Sequence, residues 1–345
     1  MAEEKTGAAI EIRHLYKIFG SNPAAMVQRV RDGLSKQELN REFGHVLGLN
    51  DINLSIPAGS IQVVMGLSGS GKSTLIRHIN RLIDPTAGEV LVDGTDVVKM
   101  NKDELREFRR HQTAMVFQKF ALLPHRTVLA NTVYGLEVQG TPKREREEIA
   151  MRWIERVGLK GYENHYPSQL SGGMQQRVGL ARALSNDAPI LLMDEAYSAL
   201  DPLIRVDMQT VLLDLQKEIR KTIVFITHDL DEALRLGDQI AILRDGEMIQ
   251  QGTSQDIVLK PADDYVESFV KEVNRGKVIE ARALAEALGD PSDWPSATLL
   301  QTETLDVAAR RFTALGTDRL TLVCDQGRPV GVISMRRTLE AMVAE

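Results

Sequence analysis

Residues 61–76, IQVVMGLSGSGKSTLI, decide how this chain is read. An apolar run from Ile61 to Met65 is followed at once by Gly66, then by Gly71, Lys72 and Ser73. This completes a G-x-x-x-x-G-K-S pattern between a predicted strand and a predicted helix. The residue types follow from the chemistry of holding phosphate. Glycines let successive backbone N–H groups turn inward as an anion nest, and a helix N-terminus adds partial positive charge. Lys72 has the length to reach the β- and γ-phosphates, and the Ser73 hydroxyl is a ligand for Mg²⁺. The candidate phosphate contacts are Gly66, Ser68, Gly69, Ser70, Gly71, Lys72, Ser73 and Thr74, and the expected ligand is a nucleoside triphosphate.

Composition sets the bounds. With 345 residues and 43 % hydrophobic content the chain has material for about two domains and a substantial core. A net charge of −6 without a basic stripe argues against nucleic acid as a partner. Cys324 is the sole cysteine, which excludes an intrachain disulfide and fits a reducing compartment. The start, MAEEKTGAAI, lacks a basic region followed by an apolar one, so no signal peptide is expected. No apolar run approaches the roughly 18 residues of a membrane span. The expectation is a soluble, cytoplasmic protein that serves any membrane process through a partner.

Away from the phosphate loop, residues 10–18 alternate apolar and polar as a first strand, and residues 21–48 look inserted. The insertion holds a short helix over 23–31, closed by Gly33, and a second opened by the capping-box spacing of Ser35 and Glu38. Strands are predicted at 49–57, 114–117, 190–193 and 222–227, with hairpins at Asp93-Gly94 and Asp245-Gly246. Helices are predicted at 101–110, 141–157 (Ile149 and Trp153 on one face), 170–184 and 203–219. Strands alternating with helices imply an α/β core with a largely parallel sheet. A helix from Pro261 leads to a boundary in 275–296, followed by helix 305–314, strands 319–324 and 329–334, and helix 335–343.

Two further stretches bear on chemistry. The apolar run 191–193 ends in Asp194-Glu195. With a phosphate loop upstream, the strand adjacent to that loop is expected to deliver a carboxylate to Mg²⁺, and Asp194 suits that role. Glu195, one residue beyond, could orient or deprotonate the attacking water. Leu170-Ser171-Gly172-Gly173 opens a helix and forms a second anion site by the same physics as the first. One nucleotide does not need two cradles. A head-to-tail dimer resolves this, with each chain's second cradle covering the other's phosphate loop.

In this order the motifs resemble the nucleotide-binding subunit of ATP-binding-cassette (ABC) transporters. They run from the phosphate loop through Gln118, LSGG at 170–173, Asp194-Glu195 and Ser198-Ala199-Leu200-Asp201 to His228. The resemblance implies that Phe19 stacks on adenine, and that Gln118 contacts Mg²⁺ and water and couples the site to the membrane partner. It implies that Ser171, Gly172 and Gly173 bind the γ-phosphate in trans and that Asp201 communicates across the dimer. His228 is implied to hold the γ-phosphate and Glu195 in register. Met174, Ala196-Tyr197, the 21–48 insertion and the phrases MVFQKFALLPH and MDEAYSALDPLIR are similar to the glycine betaine/proline (quaternary-amine) importers.

That resemblance implies an ATPase core at 10–255, with a helical subdomain at about 119–185 and permease contact over 119–140. A connecting helix at 256–277 and a cystathionine-β-synthase (CBS)-like module at 278–345 would follow, a small dimerisation tail being the alternative for the latter. The implied cofactors are ATP and Mg²⁺. The implied partners are a second copy, an integral membrane permease and, indirectly, a substrate-binding protein, at the cytoplasmic face of the membrane. A non-transport ABC ATPase and a nucleotide-gated regulatory module are the alternatives. Sustained heptads are absent and there is one phosphate loop, which disfavours the first; intact Glu195 and His228 disfavour the second.

Overall fold

Apolar runs without polar alternation belong to strands covered on both faces. Residues 61–65, 190–194 and 222–227 behave this way, and every one of them is buried. The computed structural model describes residues 7–118, 121–271, 273–290 and 294–343. Most of the acidic start, and Lys119 and Phe120 at the head of the expected permease-contact segment, lie outside these. The chain divides into two units, Met1–Ile249 and Gln250–Glu345.

In the first unit, strands run as β1 (Ile10–Phe19), β2 (Val46–Ile56), β3 (Ile61–Met65), β4 (Ala87–Val92), β5 (Thr95–Asp96), β6 (Thr113–Val116), β7 (Ile190–Asp194), β8 (Thr222–Thr227) and β9 (Gln239–Arg244), with β10 (Glu247–Gly252) crossing the division. They form two sheets, ordered β10-β9-β3-β8-β7-β6 and β2-β1-β4-β5. In the larger sheet β9, β3, β8, β7 and β6 are mutually parallel. The smaller sheet is antiparallel. Its strands keep one face buried, so Ile10, Ile12, Ile52 and Leu54 join Val64, Leu75, Ile79 and Val224 in one core.

The sequence placed the strand of Asp194 beside that of the phosphate loop. The structure corrects this, because β8 lies between β3 and β7. Apolar patterning identifies strands but is silent on which strands are neighbours, and β8 comes last of the three in sequence.

The register of the parallel strands positions the residues just beyond their carboxyl ends. Met65 pairs with Thr227, Ile226 with Asp194, and Met193 with Val116. Gly66, His228, Glu195 and Gln118 therefore leave the sheet along one edge, the carboxyl edge where open α/β sheets bind their ligands.

The inserted stretch is a packed layer. It comprises a 3-10 turn (Pro23–Met26), a helix (Val27–Arg31) and a second helix (Lys36–Phe43). The capping box at Ser35 is present: Glu38 N donates to Ser35 Oγ, and Ser35 N donates to Glu38 Oε2. Val27, Val30 and Leu39 form a separate small core with Tyr16, Ile18 and Leu47 of β1 and β2. The His45 ring nitrogens lie 2.6 Å from the carbonyl oxygens of Phe43 and Ser21, fastening the two ends of the insertion together.

The charged helix expected near 141–157 spans Lys143–Arg156 and buries Ala150, Trp153 and Ile154. Two helices before it, Val128–Thr132 and Tyr134–Gln139, are too short for periodicity to reveal. Asn131, fully buried, accepts from Leu123 N and donates to the carbonyls of Leu123, Arg126 and Thr127. Sequence reading also passed over the helix Leu230–Leu236.

In the second unit, β11 (Thr298–Leu300), helix Leu305–Leu315, β12 (Arg319–Val323), β13 (Pro329–Ser334) and helix Met335–Val343 follow in order. The sheet runs β11-β12-β13, with β11 parallel and β13 antiparallel to β12. Leu299, Leu320, Leu322 and Ile333 of the sheet are buried, as is Phe312 of the helix Leu305–Leu315. Sequence reading missed β11, which at three residues offers no alternation to detect. Among the described residues no helix is long and apolar enough to cross a membrane.

The helix after the phosphate loop, Lys72–Ile79, buries His78, whose Nδ1 lies 2.7 Å from the Thr74 carbonyl. Burial pushes the His78 pKa down to about 4, against the opposing pull of the Thr74 carbonyl. A folded-state pKa below the unfolded value means stability that is complete above pH 6.5 and lost as pH falls towards about 4. Melting curves between pH 7 and pH 4 should therefore show a loss approaching about 3 kcal/mol from this residue. His78→Asn, which keeps a donor for Thr74, should flatten that slope.

Candidate active site

At the carboxyl edge of the sheet lies a cleft of about 450 Å³, walled by Phe19, Ser68, Gly69, Gly71, Lys72, Ser73, Thr74, Gln118 and Glu195 among others. The chain reaches the loop through Gly66, with φ +146°. A Cβ here would stand 2.1 Å from the Leu243 carbonyl oxygen, so only glycine lets β3 turn under its neighbour β9. Ser70 is buried within the loop, and its Oγ has no hydrogen-bond partner. A buried hydroxyl of this kind, at the head of a helix, is a donor in want of an acceptor.

Lys72 is 4 % exposed. Its Nζ donates to the carbonyls of Gly66 (2.7 Å) and Leu67 (2.9 Å) and lies 4.0 Å from Glu195 Oε1. Burial lowers its pKa, and the carboxylates of Glu195 and Asp194 oppose that shift. An anion entering the loop would offer this ammonium the charge it lacks. Ser73 Oγ donates to Asp194 Oδ1 at 2.8 Å. The other Asp194 oxygen is held by Arg77 Nη2 at 3.1 Å, a partner one helical turn beyond the motif that sequence reading did not mark.

Glu195 follows β7 in the left-handed region, φ +46°, which residues other than glycine seldom occupy. The turn carries its carboxylate into the cleft. Gln118 Nε2 donates to Glu195 Oε2 at 2.9 Å, and His228 Nδ1 lies 3.8 Å from the same oxygen. Ser198 Oγ donates to the Glu195 carbonyl at 2.9 Å and steadies the turn. Behind His228, Asp229 pairs with Arg205 at 2.9 Å, and Thr227 Oγ1 donates to the buried Glu232, whose pKa burial raises. Arg205, Asp229 and Glu232 belong to no short motif; only the fold brings them together.

Ser171, Gly172 and Gly173 do not wall this cleft, and neither does Asp201. Ser171 Oγ instead accepts from Met174 N at the head of the helix Gly172–Ser185. Asp201 Oδ1 accepts from Ile204 N at the head of Pro202–Ile219. Ser171, Gly172 and Asp201 are exposed.

A phosphate loop at the end of a buried parallel strand, with carboxylates and a histidine on the same edge, defines a P-loop nucleoside triphosphatase. The model of the ABC transporter family matches residues 49–198. The chain is 54 % identical over 281 residues to the glycine betaine transport ATP-binding protein OpuAA of Bacillus subtilis, covering 81 % of this chain and 67 % of the relative. It is 49 % identical over 327 residues to the glycine betaine/carnitine transport ATP-binding protein GbuA of Listeria monocytogenes, covering 94 % and 80 %. A dimeric, post-hydrolysis structure of the ATP-binding cassette MJ0796 bound to ADP and Pi superposes with a TM-score of 0.60 at 33 % identity, over 71 % of this chain and 98 % of that one. The chain belongs to the ATP-binding subunits of the ABC transporter family, and its activity is ATP hydrolysis.

Gly66→Ala is expected to cost about 2 kcal/mol of stability from the clash with the Leu243 carbonyl and its strained backbone. Thermal melting reads that loss, and ATP titration should show binding failing with it.

Proposed function

We propose that this chain is the motor subunit of a membrane importer for a quaternary amine or similar compatible solute, such as glycine betaine, proline or choline. The observation that carries the reading is the convergence of Gln118, His228 and Lys72 on the Glu195 carboxylate beside the phosphate loop. The glycine betaine transport names of OpuAA and GbuA support the solute class.

In this reading Phe19 stacks on adenine and the loop amides of Ser68 to Thr74 hold the phosphates. Lys72 exchanges the Gly66 and Leu67 carbonyls for phosphate oxygens. Glu195 takes a proton from water as the water oxygen bonds to the γ-phosphorus. The bond from that phosphorus to the β,γ-bridging oxygen breaks, and ADP leaves with the electron pair. Gln118 and His228 keep Glu195 and the water aligned, so catalysis is positioning plus charge stabilisation. The Ser73 hydroxyl and Asp194, 2.8 Å apart, suit Mg²⁺, with Gln118 completing the protein's share. A bound Mg²⁺ would supply neutralisation of phosphate charge.

Two copies would meet head to tail, with Ser171, Gly172 and Gly173 of each completing the other's site and Asp201 at the joint. The exposure of Ser171, Gly172 and Asp201 and the dimeric MJ0796 structure support this. A permease would dock on a groove of about 590 Å³ lined by Leu105, Arg106, Arg109, Tyr134 and Val138, holding the chain at the cytoplasmic face of the membrane. A substrate-binding protein would act on the permease's far side. Exposed Tyr134 and Val138 between arginines support an amphipathic helix as the docking element. The strand-helix-strand-strand-helix order at 298–343 supports the CBS-like reading of the 278–345 module.

Glu195→Gln should keep ATP binding, slow hydrolysis by at least about a hundredfold and trap an ATP-dependent dimer visible by light scattering. Turnover at the wild-type rate would remove Glu195 as the base. Lys72→Ala should lose tight ATP binding by calorimetry. Tyr134→Asp or Val138→Asp should abolish solute uptake in reconstituted vesicles while leaving ATP binding by the separate chain intact.

A further inference from the structure

The inserted stretch 21–48 lies outside the phosphate loop and the carboxylate edge, yet the structure brings it into the same cleft. Lys36, Val46, Leu47 and Gly48 form one wall. Among the described residues that line the cleft, Lys36 and Lys72 are the two cations. Lys72 sits deep beside Glu195. Lys36 stands on the wall shared with Phe19.

Lys36 is held in place. It is the first residue of the helix Lys36–Phe43, fixed by the Ser35–Glu38 capping box and by fully buried Leu39. Its Nζ donates to Asp245 Oδ1 at 2.8 Å, in the turn between β9 and β10. That turn abuts the phosphate loop, since Gly246 N donates to the Ser70 carbonyl at 3.0 Å. The ammonium is thus fastened to the flank of the loop. Asp245 is 72 % exposed, and ion pairs this open to water are weak and exchange readily.

The ligand's path past this wall follows from its two ends. The Phe19 ring is 41 % exposed; a Cβ at Gly48 would stand 2.7 Å from its Cε2, and Lys17 Nζ lies 5.0 Å from its centroid, so in the reading above a base stacks on the surface of the ring left open. The phosphate chain ends among Gly69 to Thr74. The ribose and α-phosphate must span the wall between them, past Lys36.

We propose that Lys36 is a second cationic nucleotide contact, supplied by the insertion, which leaves Asp245 to bind the α-phosphate end of ATP or ADP. This rests on the ATP-site reading above and adds to it a residue outside the shared motifs. Asp245 is then the counter-ion of the empty state, competing with the nucleotide for the same ammonium.

The test is calorimetric titration of the full chain with ATP and with ADP, in Mg²⁺-free buffer to prevent turnover, alongside steady-state kinetics. Lys36→Ala should weaken both nucleotides equally, by about tenfold, as loss of one charged hydrogen bond does. The kinetic penalty should fall on KM, and Lys36→Arg should recover most of the affinity. Asp245→Asn breaks the same ion pair but frees the lysine, so it should bind nucleotide as tightly as wild type or tighter.

Unchanged affinity in Lys36→Ala overturns the proposal. A loss confined to ATP overturns the assignment to the α-phosphate end. Equal weakening by Asp245→Asn overturns it too, since the ion pair would then matter only for the fold. Failure of the ATP-site reading looks different: wild type would not bind ATP, or Lys72→Ala would bind it unimpaired.

Discussion

Hydrogen-bond register between parallel strands is the constraint on which the site depends. β3, β8, β7 and β6 contribute one residue or one loop each to the cleft and its rim, and no two of those contributions are close in sequence. The pairings Met65–Thr227, Ile226–Asp194 and Met193–Val116 bring Gly66, His228, Glu195 and Gln118 to one level. A slip of one residue in any strand would move its contribution along the edge and turn its side chains to the other face. The buried runs of Val, Ile, Leu and Met in these strands therefore act on catalysis through geometry. They make the register expensive to change.

Apart from Ser70 Oγ, the principal polar groups of the site bond to one another. Lys72 is bonded to loop carbonyls, Ser73 to Asp194, and Gln118 to Glu195. In the proposed function each of these contacts would give way to one with a nucleotide, a metal ion or water. In the proposed reading, binding would be an exchange of hydrogen bonds rather than a net gain of them, with charge supplying the surplus. Burial depresses the pKa of Lys72, and a phosphate would stabilise this buried cation more than its carbonyl partners do.

Much of this was legible in the sequence where residue type and chemistry coincide. The phosphate loop needed its glycines, lysine and serine at fixed spacing, and the buried strands announced themselves by unbroken apolarity. The Ser35 capping box and the Asp93-Gly94 turn were readable for the same local reason. What escaped was non-local. Strand order put β8 between β3 and β7 without any mark in the sequence. Arg77, Arg205 and Asp229 are ordinary helix and loop charges until the fold gives them partners. Lys36 drew no reading beyond the capping-box spacing of Ser35 and Glu38 around it, because nothing within the insertion shows that β1, β2 and the Asp245 turn will close around it. The antiparallel sheet was missed as a separate layer because its strands are scattered among the others.

The insertion also has an independence worth drawing out. Its small core of Val27, Val30 and Leu39 rests on Tyr16, Ile18 and Leu47, apart from the larger core that holds the parallel sheet. Substitutions there can alter the appendage without disturbing the strands that carry the reacting groups. With Lys36 as a nucleotide contact, selection would gain a handle on how much nucleotide the motor needs before it engages. The rate of the chemistry, proposed to be set on the other side of the cleft, would stay beyond that handle's reach.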